Sequence, residues 1–455
     1  MRRRREGVQR KLMAPNDTTA TEVSLPPYTP GFGRRPPVVA GRDALVDDLS
    51  RVLEVGPEHP RFCRALIGGR GTGKTVLLDV IGEVASKKLG WAVLHVQALQ
   101  EESLVAVLLE RMPEALKPWG RLGRGARDLQ VELSVGVNLG VLAAGATLQR
   151  GHSAGIVSPA AAFEDALSRV GAFAAAHGTG LLVTVDEAQA APAEDLSALA
   201  RALQTVVARR LQPVAVVFSG LPSFRERLAG AGTYASRLPV EEVWSLDPSA
   251  ARLALVGPAA RRHVAWEDEA LELLVRRSAG HPYYVQLFGW HAWEAAEGEA
   301  TITLAHAKAG LASARAELAG QYEATWARLR PQERAYLAAV ASLAGAGSAG
   351  IDEVAKALGK EPKQLAVARD RLLHMHGLLE VPERAKVRFA DAEMAGWAAR
   401  RPEARMAGSE QREELSPPAP ERSAGRAARK GAPSKDAEAA RRRRAGAERP
   451  RGLGR

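Results

Sequence analysis

Between residues 38 and about 246, short runs rich in Val and Leu alternate with longer stretches whose apolar residues recur every three or four positions. That rhythm predicts βαβ units built on a parallel sheet. The candidate buried strands are 61–67 (RFCRALI), 91–98 (WAVLHVQA), 181–185 (LLVTV), 214–218 (VAVVF) and 240–245 (VEEVWS). From there to about residue 400 the pattern is helical almost throughout. One segment breaks the rhythm. From Val131 to Val141 apolar side chains fall on every second residue, with Glu132, Ser134, Gly136, Asn138 and Gly140 between them. Period two predicts a half-buried strand continuing as a hairpin to residue 149, either an edge element covering a core or a projection that touches a partner.

The end of the helical part has its own punctuation. PQERAYLAAVASLA, IDEVAKALG and EPKQLAVARDRLLHMHG read as three helices, followed by LLEV and KVRF as two strands joined at Pro382-Glu383-Arg384-Ala385. Pro362 opens the third helix and Gly377 closes it, the expected asymmetry of helix ends. Leu365, Ala368, Leu372 and Met375 form one apolar face of that helix, which leaves Lys363, Gln364 and Arg371 mainly on the other.

Composition narrows the class. A chain of 455 residues with 46% hydrophobic and 25% charged residues has material for about two to four domains, each with its own core. The single cysteine, Cys63, cannot form an internal disulfide, and no Cys/His spacing suits a zinc site, so a reducing, cytoplasmic setting is expected. No apolar run reaches the length of about 18 residues that a membrane span needs, and the Arg-rich start leads into no apolar stretch. Neither secretion nor a membrane partner is expected. The net charge of +11 is concentrated at the ends: residues 1–12 carry a surplus of 5 positive charges and residues 401–455 a surplus of 7, so the body is nearly neutral. These arms read either as solvated disorder or as salt-sensitive contacts to nucleic acid.

The strand ending at Ile67 is followed by Gly68-Gly69-Arg70-Gly71-Thr72-Gly73-Lys74-Thr75 and then by a helical pattern. This is G-x-x-x-x-G-K-[ST] between a buried strand and a helix. Glycines let the backbone N–H groups approach phosphate oxygens, and the helix presents its positive end to the anion. Lys74 is expected to reach the β- and γ-phosphates of ATP and Thr75 to ligate Mg²⁺. The strand 181–185 ends in Asp186-Glu187, which places Asp186 at a strand C-terminus as a second Mg²⁺ ligand and Glu187 beside it to orient or deprotonate the attacking water. Ser219, just past strand 214–218, either hydrogen-bonds water or γ-phosphate or merely opens a turn. Arg237 lies before the last strand, where a guanidinium can reach a neighbouring subunit's γ-phosphate; Arg225 and Arg227 compete for that role.

Taken in order, these residues resemble the AAA+ ATPases, particularly origin-recognition-type initiators and related bacterial and archaeal ATPases. GGRGTGKT, VTVDEAQ, FSG and the SRLP region are similar to that family's Walker A, Walker B, sensor 1 and arginine-finger segments, over about residues 38–300 and, with the C-terminal pattern, to about 395. The resemblance implies that Gly41-Arg42, in VAGR, contacts adenine. It also implies a lid with a sensor-2 arginine, but Gly280-His281-Pro282 stands there without one, a Gly-x-Pro pattern closer to that of STAND-type signalling ATPases; Pro282 is expected at the nucleotide and His281 packing near it. The C-terminal pattern resembles a winged helix. Its third helix can enter a DNA major groove through Lys363, Gln364 and Arg371, or the domain can serve protein contacts.

The expected architecture is therefore an α/β P-loop NTPase core with a parallel sheet over 38–247, including the hairpin at 131–149. A helical lid over 248–325 and a winged helix over 326–400 follow, between a mostly disordered lead-in (1–37) and a disordered basic tail (401–455). ATP and Mg²⁺ are the expected ligands, held by Gly41, Arg42, the 68–75 loop and Pro282, with Thr75 and Asp186 on the metal. Glu187, Lys74, Ser219 and Arg237 are the expected catalytic groups. Duplex DNA, a second copy of the chain or a protein client is the expected partner.

Overall fold

The computed structural model describes residues 25–31, 33–146 (backbone alone from 136), 158–345 and 347–404. Five strands, β1 (Arg64–Ile67), β2 (Ala92–Gln97), β3 (Leu181–Asp186), β4 (Val214–Gly220) and β5 (Val240–Glu242), form one sheet in the order β2-β3-β4-β1-β5. Every pairing in it is parallel. Each falls on a predicted run, but β5 covers only Val240–Glu242 of the expected 240–245 and is not buried, as its two glutamates dictate. Every residue of β3 and β4 is buried, which is why these strands read as unbroken apolar runs and not as alternating ones. The order matters for the site: β3 and β1 both flank β4, so the loops leaving their C-terminal ends open on the same edge of the sheet.

Helices α1 (Asp43–Val55), α2 (Lys74–Glu83), α3 (Leu104–Ala115), α4 (Arg124–Ala146), α5 (Pro159–Ala176), α6 (Ala193–Leu203) and α7 (Phe224–Gly230) complete this half. Ser103 and Ser158 cap α3 and α5 by accepting the N–H three residues on, and Pro159 takes the first turn of α5. The hairpin expected from residue 131 is not present: α4 runs through 131–146, and the remainder, 147–149, lies outside the described residues. Helical spacing wins because Ala126, Leu129 and Leu133, three and four apart, are the residues that bury. Val131 and Val135, which created the period of two, face outward at 62% and 49% exposure.

The second half contains α8 (Pro248–Ala260), β6 (Ala265–Trp266), α9 (Asp268–Ser278), α10 (Pro282–Ala295), β7 (Thr301–Ile302) and α11 (Leu304–Arg328). It continues with α12 (Pro331–Ala344), β8 (Ala349–Gly350), α13 (Ile351–Ala357), α14 (Ala366–Asp370), β9 (Leu379–Glu380), β10 (Lys386–Phe389) and α15 (Ala392–Ala398). β8, β10 and β9 pair antiparallel in that order. One apolar core draws on all of these elements but α14 and reaches Ala404, separate from the core of the α/β half. Tyr322 and Trp326 on α11 pack against Trp397 of α15.

Three expectations need correction. The lead-in is placed from residue 25 to residue 37, Phe32 aside: Tyr28 is fully buried, donates to the Leu255 carbonyl at 2.7 Å and meets Trp293 edge to face, while Thr29 N–H donates to Gln286 at 3.1 Å. A buried aromatic with its hydroxyl satisfied contributes enough to hold a Pro-rich strap. Residues 1–24 lie outside the described residues, as does the tail from 405. Residues 401–404 of that tail are placed, with Arg401 over the rings of Trp397 and Trp326 and paired with Glu323. Finally, Arg371 is not a free basic group: its Nε donates to Glu333, whose side chain is 2% exposed, and Met375, expected on the apolar face, is 49% exposed.

Among the described residues no helix is long and apolar enough to cross a membrane.

Candidate nucleotide site

The loop between β1 and α2 has the conformation that its glycines permit. Gly71 and Gly73 take φ of +72° and +91°, in the left-handed region, and a Cβ on Gly68 would stand 2.5 Å from the Val243 carbonyl oxygen. Residue 73 precedes the first turn of α2, so the N–H groups of that turn face the loop's concavity. Lys74 is 6% exposed and its Nζ donates to the Gly68 and Gly69 carbonyls at 3.0 and 2.7 Å. Burial pulls its pKa below the usual lysine value; Glu187 and Asp186 oppose this and Arg70 reinforces it. A buried ammonium satisfied only by loop carbonyls suits an incoming phosphate.

Asp186 sits at the end of β3 with its carboxylate held from three sides. Thr75 Oγ1 donates to Oδ2 at 2.6 Å; Ser219 Oγ and the Glu187 N–H donate to Oδ1, the latter at 2.9 Å. The sequence thus brings Thr75, Asp186, Glu187 and Lys74 to one sheet edge, as the two motifs require. Ser219 is there too, but its hydroxyl is spent on Asp186, inside a fully buried residue. A hydroxyl and one carboxylate fit Mg²⁺, which keeps several waters and takes few protein ligands. No group of three or more His, Cys, Asp or Glu able to hold a metal occurs among the described residues.

A cavity of about 830 Å³ opens over this edge. Arg70 to Thr75, Asp186 and Glu187 form its floor, and Arg42 and Pro282 lie in its wall. Arg42 reaches from the start of α1 to donate to the Thr72 carbonyl at 3.1 Å and to the Trp244 carbonyl; burial lowers its pKa from the ordinary arginine value. Gly41 is needed for a different reason, since a Cβ there would stand 2.5 Å from the Ala250 Cβ. Pro282 begins α10, and His281 before it places Nε2 2.8 Å from the Arg70 carbonyl, its ring against Gly71. Burial lowers the His281 pKa, while the Arg70 carbonyl and Asp391 oppose that. With Nε2 facing a carbonyl, the neutral ring carries its proton there.

Of the expected catalytic residues, Lys74 and Glu187 line the cavity, Ser219 lies buried behind Asp186, and Arg237 is away from it. That arginine is exposed, on a turn over 235–237, and makes no ion pair among the described residues. Its competitors are committed: Arg225 pairs with Glu242 at 3.0 Å and Arg227 donates to the Ala191 carbonyl.

Several wall residues carry no motif. Thr29, Gly31 and Arg34 enter from the lead-in, Gln286 from α10, and Gly377, Asp391 and Met394 from the C-terminal elements. The turn at Gly377 lies against the loop, where a Cβ would stand 2.9 Å from Leu221 Cδ1 and 3.3 Å from Arg70 Nε. None of these was singled out by a local pattern; they depend on tertiary packing, such as the Tyr28 anchor of the lead-in.

A parallel sheet of this order with a glycine-rich loop after β1 and an acidic pair after β3 defines a P-loop nucleoside triphosphatase. Residues 38–217 match the family described as AAA ATPase domain, and residues 319–398 match a family described as a domain of unknown function. No curated protein matches the chain at a significant level. Among solved structures the chain is similar to the Walker-type ATPase PABY2304 of Pyrococcus abyssi, at 17% identity over 79% of this chain and 96% of that one, with a TM-score of 0.52. It is also similar to the Aeropyrum pernix Orc1 protein, solved in complex with DNA, at 19% identity over 83% and 94% with a TM-score of 0.44. The Thermotoga maritima RuvB Holliday junction branch migration motor follows at 16% identity over 77% and 92%, TM-score 0.40. With this sheet, its loop and acidic pair, and the match over residues 38–217, the chain is an ATP-hydrolysing P-loop enzyme.

Proposed function

We propose that this ATPase couples Mg·ATP binding and hydrolysis to a conformational change that acts on duplex DNA through its C-terminal elements. The observation that carries the nucleotide part is the 2.6 Å contact between Thr75 and Asp186, two residues 111 positions apart whose oxygens meet where a metal would join them. Bound Mg²⁺ would neutralise developing charge on the phosphates. Lys74 leaves its loop carbonyls for the β- and γ-phosphates, and Glu187 accepts the proton of the attacking water. Ser219 holds Asp186 in place. Arg42, Gly41 and Pro282 enclose the base. Arg237, exposed and unpaired among the described residues, is available to a second copy's site, so the active form is a homo-oligomer.

Residues 331–389 supply a winged helix, in which the helical stretch 362–376 offers Lys363 and Gln364 to a DNA groove. Domain limits of 38–247, 248–325 and 326–400, with cytoplasmic residence, complete the reading. The test is retention on duplex DNA in ATP by the chain without residues 1–24 and 405–455. Nucleotide-dependent retention is expected; DNA binding that vanishes with the ends would contradict it.

A second reading, a signalling switch with a winged helix used for protein contacts, is favoured by two observations. Arg371 is engaged by Glu333, and the Gly377 turn and His374, 3.6 Å from Glu226 of α7, lie against the ATPase half.

A further inference from the structure

We infer that Gln189 is the positioning residue of the hydrolytic carboxylate, an inference that rests on the reading of Glu187 as the general base. Both ends of its carboxamide are in use. Gln189 Nε2 donates to Glu187 Oε2 at 2.6 Å, and Gln189 Oε1 accepts the Leu221 N–H at 3.0 Å. The orientation of the amide follows from chemistry: a backbone N–H can only donate, so the oxygen must face Leu221 and the NH₂ must face the carboxylate. The clamp also has a built seat. A Cβ on Gly220 would lie 2.9 Å from Gln189 Oε1, so the absence of a side chain at that position, the last of β4, leaves the amide its place.

Glu187 needs such a partner. It stands just past the end of β3 with φ of +50°, a left-handed conformation uncommon for a residue with a side chain, and its own N–H is turned back onto Asp186. Its side chain is only half-buried at the cavity wall, and the remaining torsions are free unless something fixes them. The amide pins one carboxylate oxygen. The other is then held toward the cavity, where it can receive a proton from water. The clamp's far end, Leu221, opens the loop after β4 and carries the side chain against which the Gly377 turn packs. Gln189 thereby references the base to β4, the strand between β1 and β3, and not to the mobile rotamers of Glu187 itself.

The test is a double-mutant cycle on turnover, with nucleotide affinity measured alongside. Gln189→Leu is expected to lower kcat about ten- to a hundredfold at unchanged ATP affinity. Adding Gln189→Leu to Glu187→Gln is expected to cause no further loss, because Gln189 acts through Glu187. Equal, additive losses in both backgrounds, or an unchanged kcat in Gln189→Leu, would overturn the inference. If Glu187→Gln alone leaves kcat at the wild-type level, the general-base reading itself has failed, which is a separate result. Should Gln189→Leu fold poorly, Gln189→Met keeps most of the side chain's length and removes the donor to Glu187 without adding a charge, and the same non-additivity is expected.

Discussion

Arginines in this chain divide into those already committed and those left free, and the division carries functional weight. Arg225 and Arg227 are occupied by Glu242 and the Ala191 carbonyl, while Arg237 projects unpaired among the described residues. A long cation held by nothing among the described residues suits a neighbour's phosphate. Arg237→Ala should lower kcat about a hundredfold or more while ATP affinity stays within twofold, as trans-acting arginines do. Parallel measurement of turnover and equilibrium binding checks it, and an unchanged kcat removes Arg237 from the site. At this scale the motif residues were legible because their chemistry demands them: Lys74, Thr75, Asp186 and Glu187 meet as their spacing requires. Ser219 was legible as a polar strand end, but not its bond to Asp186. Gln189 stood in plain view in DEAQ and was given no role, since nothing local distinguishes a clamp from a surface amide.

Elements tell a mixed story, and the reason is physical in each case. Buried parallel strands announce themselves, because both faces must be apolar. α4 did not: its valines at 131 and 135 mimic a strand's alternation, while Ala126, Leu129 and Leu133 bury at helical spacing. Two periodicities overlapped, and the one that reached the core won. The helical stretch 362–376 was located correctly, yet Arg371 on it is tied to Glu333 of α12, a pairing 38 residues apart that no sequence window contains. Removing that arginine leaves a carboxylate with a 2% exposed side chain facing only the Arg330 N–H and His376. Arg371→Met should therefore destabilise the fold by about 3 kcal/mol, near the lower end for breaking a buried pair because Arg371 itself is partly exposed. A denaturant midpoint that falls at constant m-value is the expected outcome, and an unmoved midpoint would show the pair to be idle.

Among the described residues, two apolar cores meet at the cavity over the sheet edge. The α/β core fixes the loop, the acidic pair and the sheet edge; the second core draws on the helices from α8 onward, α14 excepted, and on the Tyr28 strap. Their meeting place is the cavity wall, where His281 and the Gly377 turn touch the residues that would hold phosphate. A ligand at 68–75 therefore presses on both halves at once, which is how binding energy can become movement. The fold class was readable from alternating periodicities and the glycine loop; the closing of the lead-in and C-terminal elements over the site was not, because it rests on contacts more than 200 residues apart. The most direct test of the central claim is titration of ATP, in magnesium buffer, into the wild-type chain and into Lys74→Ala. Saturable binding by the wild type that is lost or weakened at least a hundredfold in the variant is the predicted result. Equal affinity in both, or no affinity in the wild type, would contradict the account.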